Sequence, residues 1–170
     1  MSRLETIRRL VAYDRHVFDA YEKTIRRMGW AKATANHEIG HRSLKDTLVH
    51  ILNVHEAWFV AAAQNRWEVF DTPGRRPAEI RSWKDLQRYK TRVWQGIDAL
   101  MENLTDVQLD RRVRVPWIPG RYTMVDAFFQ ASFEQAHHLG EIIAVFWQMD
   151  KAPPQMMWIP TLTGVRVSVR

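Results

Sequence analysis

Residues 122–150 read YTMVDAFFQASFEQAHHLGEIIAVFWQMD and contain no lysine or arginine, although the chain carries 25 basic residues. Apolar residues recur at helical spacing along this stretch, which predicts a helix that packs against other protein on several sides. A polar stripe also runs along it, within a sector about 80° wide at about 100° per residue. The stripe consists of Gln130, Glu134, His138, Glu141 and Gln148.

Burial of a carboxylate and an imidazole costs several kcal/mol unless they are paired or bound to a metal. Glu134 and His138 are one helical turn apart, so both side chains can reach one ion, although helical ion pairs at this spacing are common. Glu141 lies one turn further on and has three open roles: to orient a ligand histidine, to bind metal itself, or to cap a neighbouring helix. Of the whole sequence, this stripe is best suited to form a metal-binding or catalytic site.

Four helix starts are marked by one signal, a Ser or Thr followed three residues later by an acid. The pairs are Ser2 and Glu5, Ser43 and Asp46, Ser82 and Asp85, and Thr123 and Asp126. The predicted helices cover residues 3–29, 44–65, 83–104 and 124–150. We therefore predict an all-α four-helix bundle in one domain, residues 1–170.

The connectors 66–82 and 105–122 contain Pro and Gly and are long enough to allow crossovers between distant helices. Two short segments, 113–115 and 165–169, alternate in the manner of strands. We predict that these two segments pair as a minor two-stranded β element beside the bundle.

Composition excludes several classes of function. The chain has no cysteine, so disulfides, thiolate metal sites and a cysteine nucleophile are absent. It has no run of 18 apolar residues, and its first residues lack the apolar segment of a signal peptide. We expect a cytoplasmic protein that does not act in a membrane.

The formal net charge is +6, and eleven of the 25 basic residues lie between Arg75 and Arg121. Such a cluster suits nucleic-acid binding through phosphate contacts. No recognition helix or aromatic platform accompanies the charge, which favours a solvated helix surface instead. A salt titration of oligonucleotide binding separates the two interpretations.

The segment His37-Glu38-Ile39-Gly40-His41 matches the H-E-x-x-H motif of zinc proteases letter by letter. That motif needs both histidines on one face of a continuing helix, but the next helix is predicted to start at Ser43. We therefore expect a polar connector, with neither His37 nor His41 as a zinc ligand.

His50 lies one turn after Asp46 and shares its helix face with Asn53 and Ala57, which leave room above the imidazole for a ligand or an ion. A core histidine bonded to a carbonyl is the alternative. His55 points about 140° away from His50, so the two are not expected to serve one site.

Two segments together resemble the signature of the DinB/YfiT-like metalloprotein superfamily. The first is SLKDTLVHILNVHEAW, residues 43–58, in which a serine-capped helix carries a histidine and, two turns later, an aromatic residue. The second is EQAHHLGE, residues 134–141, which is similar to the H-x-x-x-H-R-G-Q segment of the family's last helix. The number of helices predicted for this chain and its two long connectors also match that family.

The resemblance implies that His50, Glu134 and His138 hold a divalent metal ion, with Glu134 where the family has its first histidine. Leu139 and Glu141 also depart from the family's usual residues, whereas Gly140 matches and is expected to let a facing helix approach closely. Two histidines and a glutamate suit zinc and leave an open position. The extra carboxylate also suits nickel, with iron or manganese as alternatives.

The family further implies an up-down-down-up bundle, often homodimeric. Some of its branches are thiol-dependent transferases or isomerases acting on small molecules. We accordingly expect metal-assisted transfer or hydrolysis of a substrate that the sequence does not identify, with Glu141 as the catalytic candidate for orientation or proton transfer. The rival interpretation is a non-catalytic structural or binding bundle, and metal content separates the two.

Overall fold

The computed structural model describes residues 2–158, which are mostly helical with one small antiparallel sheet. Five α-helices lie in this range. They are α1 (Arg3–Arg27), α2 (Trp30–Thr34), α3 (Leu44–His55), α4 (Trp83–Asn103) and α5 (Met124–Gln148). Short 3₁₀ segments cover Trp67–Asp71, Pro77–Glu79 and Val107–Asp110. The short helix α2 was not predicted from the sequence.

The four predicted capping signals are confirmed. Each Ser or Thr hydroxyl accepts the backbone N–H three residues later, at 3.0–3.2 Å, and so stabilises the first turn of α1, α3, α4 or α5. At the start of α5, Asp126 also accepts the backbone N–H of Thr123 at 2.8 Å, which completes a capping box. The helix starts are therefore set by local chemistry alone.

The second predicted helix, residues 44–65, changes type partway. It is α-helical to His55 and continues as a π-helix over Glu56–Ala62, where each turn holds an extra residue. Within this segment, Val60 Cγ2 lies 2.9 Å from the position that a Cβ on Gly96 would occupy. The absence of a side chain at Gly96 thus allows α4 to approach the π-helix closely.

The predicted β element is confirmed at residues 113–115, which lie in a small two-stranded sheet. Strand β1 (Arg112–Val115) pairs antiparallel with β2 (Ile118–Thr123), with Val113 opposite Tyr122 and Val115 opposite Ile118. A short turn joins the two strands into a local hairpin. Segment 165–169 lies outside the described residues.

The core forms where the long helices meet, and aromatic side chains fill much of it. Phe59 of the π-helix stacks on Phe128 of α5 with ring centroids 4.6 Å apart, and Tyr21 of α1 stacks on Phe146 of α5 at 6.2 Å. All four rings are buried. Helix α5 is therefore packed on several sides, as its lack of basic residues indicates. Among residues 2–158, no helix combines the length and apolarity needed to cross a bilayer.

Candidate functional site

His50 on α3 and His138 on α5 lie against each other in the structure. Their ring centroids are 4.5 Å apart and the ring planes are nearly perpendicular, at 83°. His138 is buried and His50 is half-buried. Both residues were singled out from the sequence, and the packing of α3 on α5 brings them to one place.

A third imidazole, that of His41, lies in the same place, although the helix start predicted at Ser43 led us to expect that His41 is not a ligand. Its ring stacks on His50 with centroids 3.8 Å apart and meets His138 at 4.8 Å. Each of the three residues offers a ring nitrogen, and these atoms lie within 4.8 Å of one another. We call His41, His50 and His138 the histidine cluster.

His41 reaches the cluster because the loop 36–43 folds back on itself. Glu38 and Arg42 adopt left-handed backbone conformations (φ 58° and 67°), and the His37 N–H donates to the Arg42 carbonyl at 2.7 Å. His37 faces away, with its Nε2 2.8 Å from the Lys32 carbonyl. The two histidines of the protease-like motif therefore do not converge, as expected, and only His41 joins the cluster.

Gly40 permits this loop to lie against α5. A Cβ at Gly40 would meet Glu141 Oε1 at 2.8 Å, closer than side chains tolerate. Gly140, for which the resemblance implies a close helix contact, would place a Cβ with nothing described within 4 Å. The close approach expected at Gly140 is thus made at Gly40 instead.

The environment of the histidine cluster keeps two of its imidazoles neutral. Burial, followed by the neighbouring His41 and His138, lowers the pKa of His50 to about 4. Burial and then His138 also lower the pKa of His41. Within residues 2–158, the ring nitrogens of His41 and His50 form no hydrogen bond with protein. Neutral imidazoles with free nitrogens are the form that coordinates metals.

Two carboxylates flank His138 on α5. Glu141 Oε2 accepts a hydrogen bond from His138 Nδ1 at 3.0 Å, which fixes the tautomer and leaves Nε2 for a ligand bond. Glu134 Oε2 lies 3.5 Å from that Nε2, and its Oε1 accepts from Gln130 Nε2 at 2.8 Å. His137 Nε2 lies 3.9 Å from Glu141, but its side chain is 68% exposed. Glu134 and Glu141 are therefore both placed to act on His138.

His55 does not join the site, as its helical position predicts. It is buried among Phe59, Trp94 and Asp14, and its Nδ1 donates to the Ile51 carbonyl at 3.0 Å. Its Nε2 faces Asp14 Oδ2 at 3.6 Å, and that carboxylate accepts from Ser132 at 2.5 Å. We call Asp14, His55 and Ser132 the core polar cluster.

A cavity of about 460 Å³ opens beside the histidine cluster. Its lining includes His50 and Glu134 from the site, and also Arg75 from the connector after the π-helix. Its aromatic wall is formed by Trp58, Phe70 and Trp117. We call it the aromatic cavity, and its size suits a small molecule.

Several basic residues between Arg75 and Arg121 are committed to contacts within the protein. Lys90 Nζ lies 2.6 Å from Glu22, Arg92 donates to the Pro73 carbonyl at 3.0 Å, and Arg111 bonds to the Ala63 carbonyl. Arg75 pairs with Glu56 at 2.9 Å. These contacts stabilise the fold, so fewer basic side chains of this region remain for phosphate contacts.

The chain is similar to one known protein family. No curated protein matches the chain. A family model described as the DinB superfamily matches residues 13–142, a range that includes the histidine cluster, Glu134, Glu141 and the aromatic cavity. A match over most of the chain, together with a group of histidines and carboxylates that suits a metal ion, leads to one conclusion: the chain belongs to the DinB superfamily.

Proposed function

We propose that the protein binds one divalent metal ion at the histidine cluster and uses it in a transfer or hydrolysis reaction in which a thiol or water is the nucleophile. The observation that carries this proposal is the convergence of three imidazoles from separate elements, with ligand atoms within 4.8 Å of one another. A divalent ion supplies Lewis acidity there, which lowers the pKa of a thiol or a water molecule.

The donor chemistry fits such an ion. Lowered pKa values keep His41 and His50 neutral at pH 7, and Glu141 holds His138 with Nε2 free. Neutral imidazoles together with a carboxylate suit zinc and nickel, while iron and manganese are the alternatives for a carboxylate-richer set. We propose His41, His50 and His138 as the ligands, and we assign Glu134, which the sequence suggested as a ligand, to proton transfer beside them.

The two carboxylates beside His138 have separate roles in this proposal. Glu134 borders both Nε2 of His138 and the aromatic cavity, so it is the group placed to accept a proton from the nucleophile. Glu141 bonds to Nδ1 of His138 and is assigned as a positioning residue, which keeps the imidazole oriented. His137 is exposed and is given no role.

A first experiment tests binding. Untagged protein, purified without chelators, is analysed for zinc, nickel, iron and manganese, and the metal-free protein is then titrated with zinc. We expect close to one ion per chain in wild type and loss of tight binding in His50→Ala. Retention of metal by that variant would contradict the ligand set.

A second experiment tests chemistry. The metal-loaded protein is mixed with 2-mercaptoethanol and iodoacetamide, and the loss of free thiol is followed against metal-free protein. We expect faster alkylation with metal, and a slower rate for Glu134→Gln at unchanged metal content. Equal rates with and without metal would count against thiol activation.

A non-catalytic bundle is the second candidate function. Two hydrogen bonds favour it, that of Gln130 with Glu134 and that of His138 with Glu141. They give these polar side chains partners without an ion. Protein that takes up no metal in the first experiment would support this alternative.

We also propose that the long helices form an up-down-down-up four-helix bundle and that two chains associate in the cytoplasm about a twofold axis. Phe129 and Phe133 support the association, since they stack at 6.0 Å on the outer face of α5 and are 37% and 67% exposed. Sedimentation at micromolar concentration should give a species near twice 20.1 kDa. A single species of the chain's own mass would contradict the dimer.

A further inference from the structure

We infer that the aromatic cavity binds a substrate that carries a carboxylate on a flat apolar body, and that Arg75 selects the carboxylate. This inference rests on the proposed function, because the other end of the substrate must reach the histidine cluster for chemistry to occur. Four features of the cavity lead to it.

The first feature is an excess of positive charge beneath the cavity wall. Glu56 is buried, and its Oε2 lies 2.9 Å from Arg75 Nε while its Oε1 lies 3.6 Å from Arg92 Nε. Tyr89 donates its hydroxyl to the same carboxylate at 3.0 Å. Among residues 2–158, no other carboxylate pairs with either arginine. Two guanidinium groups thus share one carboxylate, which leaves one positive charge for an anion.

The second feature is that Arg75 is held in position with donors to spare. Its Nε is used by Glu56 and its guanidinium lies over the Phe70 ring, 4.6 Å from the centroid. In the described part of the chain, its two Nη groups form no hydrogen bond and are not buried. A guanidinium fixed in this way loses little freedom when it binds a carboxylate through two parallel bonds.

The backbone that carries Arg75 is also fixed. Glu79 Oε2 accepts the backbone N–H groups of Gly74, Arg75 and Arg76 at 3.0, 3.1 and 3.0 Å. These three bonds, led by that from Arg76, lower the pKa of Glu79, so it remains ionised and keeps the connector in place. Arg75 is therefore presented to the cavity by an ordered loop.

The third feature is the aromatic wall. Trp58 and Trp117 meet edge to face with centroids 5.7 Å apart, and Phe70 lies 6.2 Å from Trp117. Val54 of α3 and Ala57 of the π-helix add small apolar surface. Such walls favour a flat apolar body over a sugar or another strongly hydrated group.

The fourth feature is a difference in charge between two parts of the lining. Glu134 also lines the cavity and is ionisable, so it repels a substrate carboxylate, whereas Arg75 attracts one. This difference orients the substrate with its acid at Arg75 and its other end toward His50 and Glu134, and the metal-free protein separates it from the attraction of a bound ion. Arg75 is a specificity-determining residue in this arrangement and takes no part in bond making.

The experiment compares 3-phenylpropionate with its neutral counterpart 3-phenylpropionamide, using tryptophan fluorescence and calorimetry on zinc-loaded and metal-free wild type. We expect the acid to bind at least about tenfold more tightly than the amide, since a charge-assisted pair is lost in the amide. The preference should persist without metal. A preference that disappears without metal would mean that the acid binds the ion directly, and would overturn the inference.

Arg75→Gln should abolish the preference, and Arg75→Lys should retain part of it. Arg66→Gln is the matched control, because Arg66 is exposed and pairs with Glu68 instead. Trp117→Ala, at a half-exposed position that should not affect folding, is expected to weaken both probes equally. Equal binding of acid and amide by wild type, or an unchanged preference in Arg75→Gln, would overturn the inference.

Metal analysis of the same samples separates the two proposals. Bound metal without an acid preference means that the substrate class is wrong while the proposed function stands. Protein without metal means that the proposed function fails whatever the probes show.

Discussion

The histidine cluster and the core polar cluster draw on the same α3 helix, at His50 and His55, yet the two imidazoles differ in hydrogen bonding and in access. The ring nitrogens of His50 form no hydrogen bond with described residues, and the ring stacks on His41 and borders a cavity. His55 is sealed in the core, bonds to a carbonyl and faces Asp14. An imidazole with free nitrogens and an open approach suits a ligand, whereas one with fixed partners suits stability.

The largest effect that tests this contrast is on metal affinity. His138→Ala should weaken zinc binding by more than about a hundredfold, since loss of an outer partner alone costs about 10–100-fold. Circular dichroism should show that the helices persist. His55→Ala is the matched variant and should retain wild-type zinc stoichiometry. Equal losses in both variants would break the distinction between the clusters.

The next effect is on stability, where the variant in the core polar cluster should now be affected more than the variant in the histidine cluster. His55→Ala should lower the free energy of unfolding of the metal-free protein by about 2–3 kcal/mol, because it leaves a cavity beside Phe59 and Trp94 and removes a buried hydrogen bond to the Ile51 carbonyl. His50→Ala should change it by less than about 1 kcal/mol, since that ring lacks hydrogen bonds. Urea denaturation measures both. A greater loss in His50→Ala would show that the cluster stabilises the fold without metal.

A smaller effect concerns the loop that delivers His41. Gly40→Ala places a Cβ 2.8 Å from Glu141 Oε1, so the Glu141 carboxylate must shift, which weakens its hydrogen bond with His138. We expect zinc affinity to fall by about tenfold, the lower end for loss of an outer partner. Gly140→Ala is the control, with open space around its Cβ, and should leave affinity unchanged while favouring the helix by up to about 1 kcal/mol.

The smallest effect is on pH dependence in the metal-free protein. The pKa of His50 is lowered to about 4, so between pH 6.5 and 4 the unfolded chain takes up a proton that the folded protein does not. Stability should therefore fall as the pH decreases through this window, by about 1 kcal/mol once solvent screening of a half-buried group is allowed for. Urea denaturation at pH 7 and pH 4.5 measures the change.

His50→Ala should reduce that loss of stability, and NMR titration should show the ring of His50 still neutral at pH 5.5. A ring that titrates near pH 6.5 would show that burial and the two neighbouring imidazoles do not act on it as described.

Sequence reasoning predicted what local chemistry controls. The four caps fix the helix starts, and apolar spacing on α5 identified the polar stripe with His138. The approach of α3 to α5 then brought His50 into place. His41 was missed because a loop, two left-handed residues and the contact of Gly40 with Glu141 position it, and none of these leaves a periodic pattern.

Two other features escaped prediction for similar reasons. Arg75 lies in a connector, and its role depends on buried Glu56, whose position follows from the change of helix type after His55. The pairing of β1 with β2 depends on the turn between them rather than on alternation alone. Helical periodicity therefore identified the donors on helices, but not the groups supplied by loops.

The π-helix over Glu56–Ala62 has a consequence for how this chain tolerates insertions and deletions. One extra residue in a helical turn rotates everything beyond it by about 100° relative to what precedes it. The half bearing His50 is thus aligned with α5, while the half bearing Val60 is aligned with Gly96 on α4. Removal of a single residue between 56 and 62 would restore a uniform helix and misalign one half. The length of this segment is therefore constrained by the two alignments that it serves.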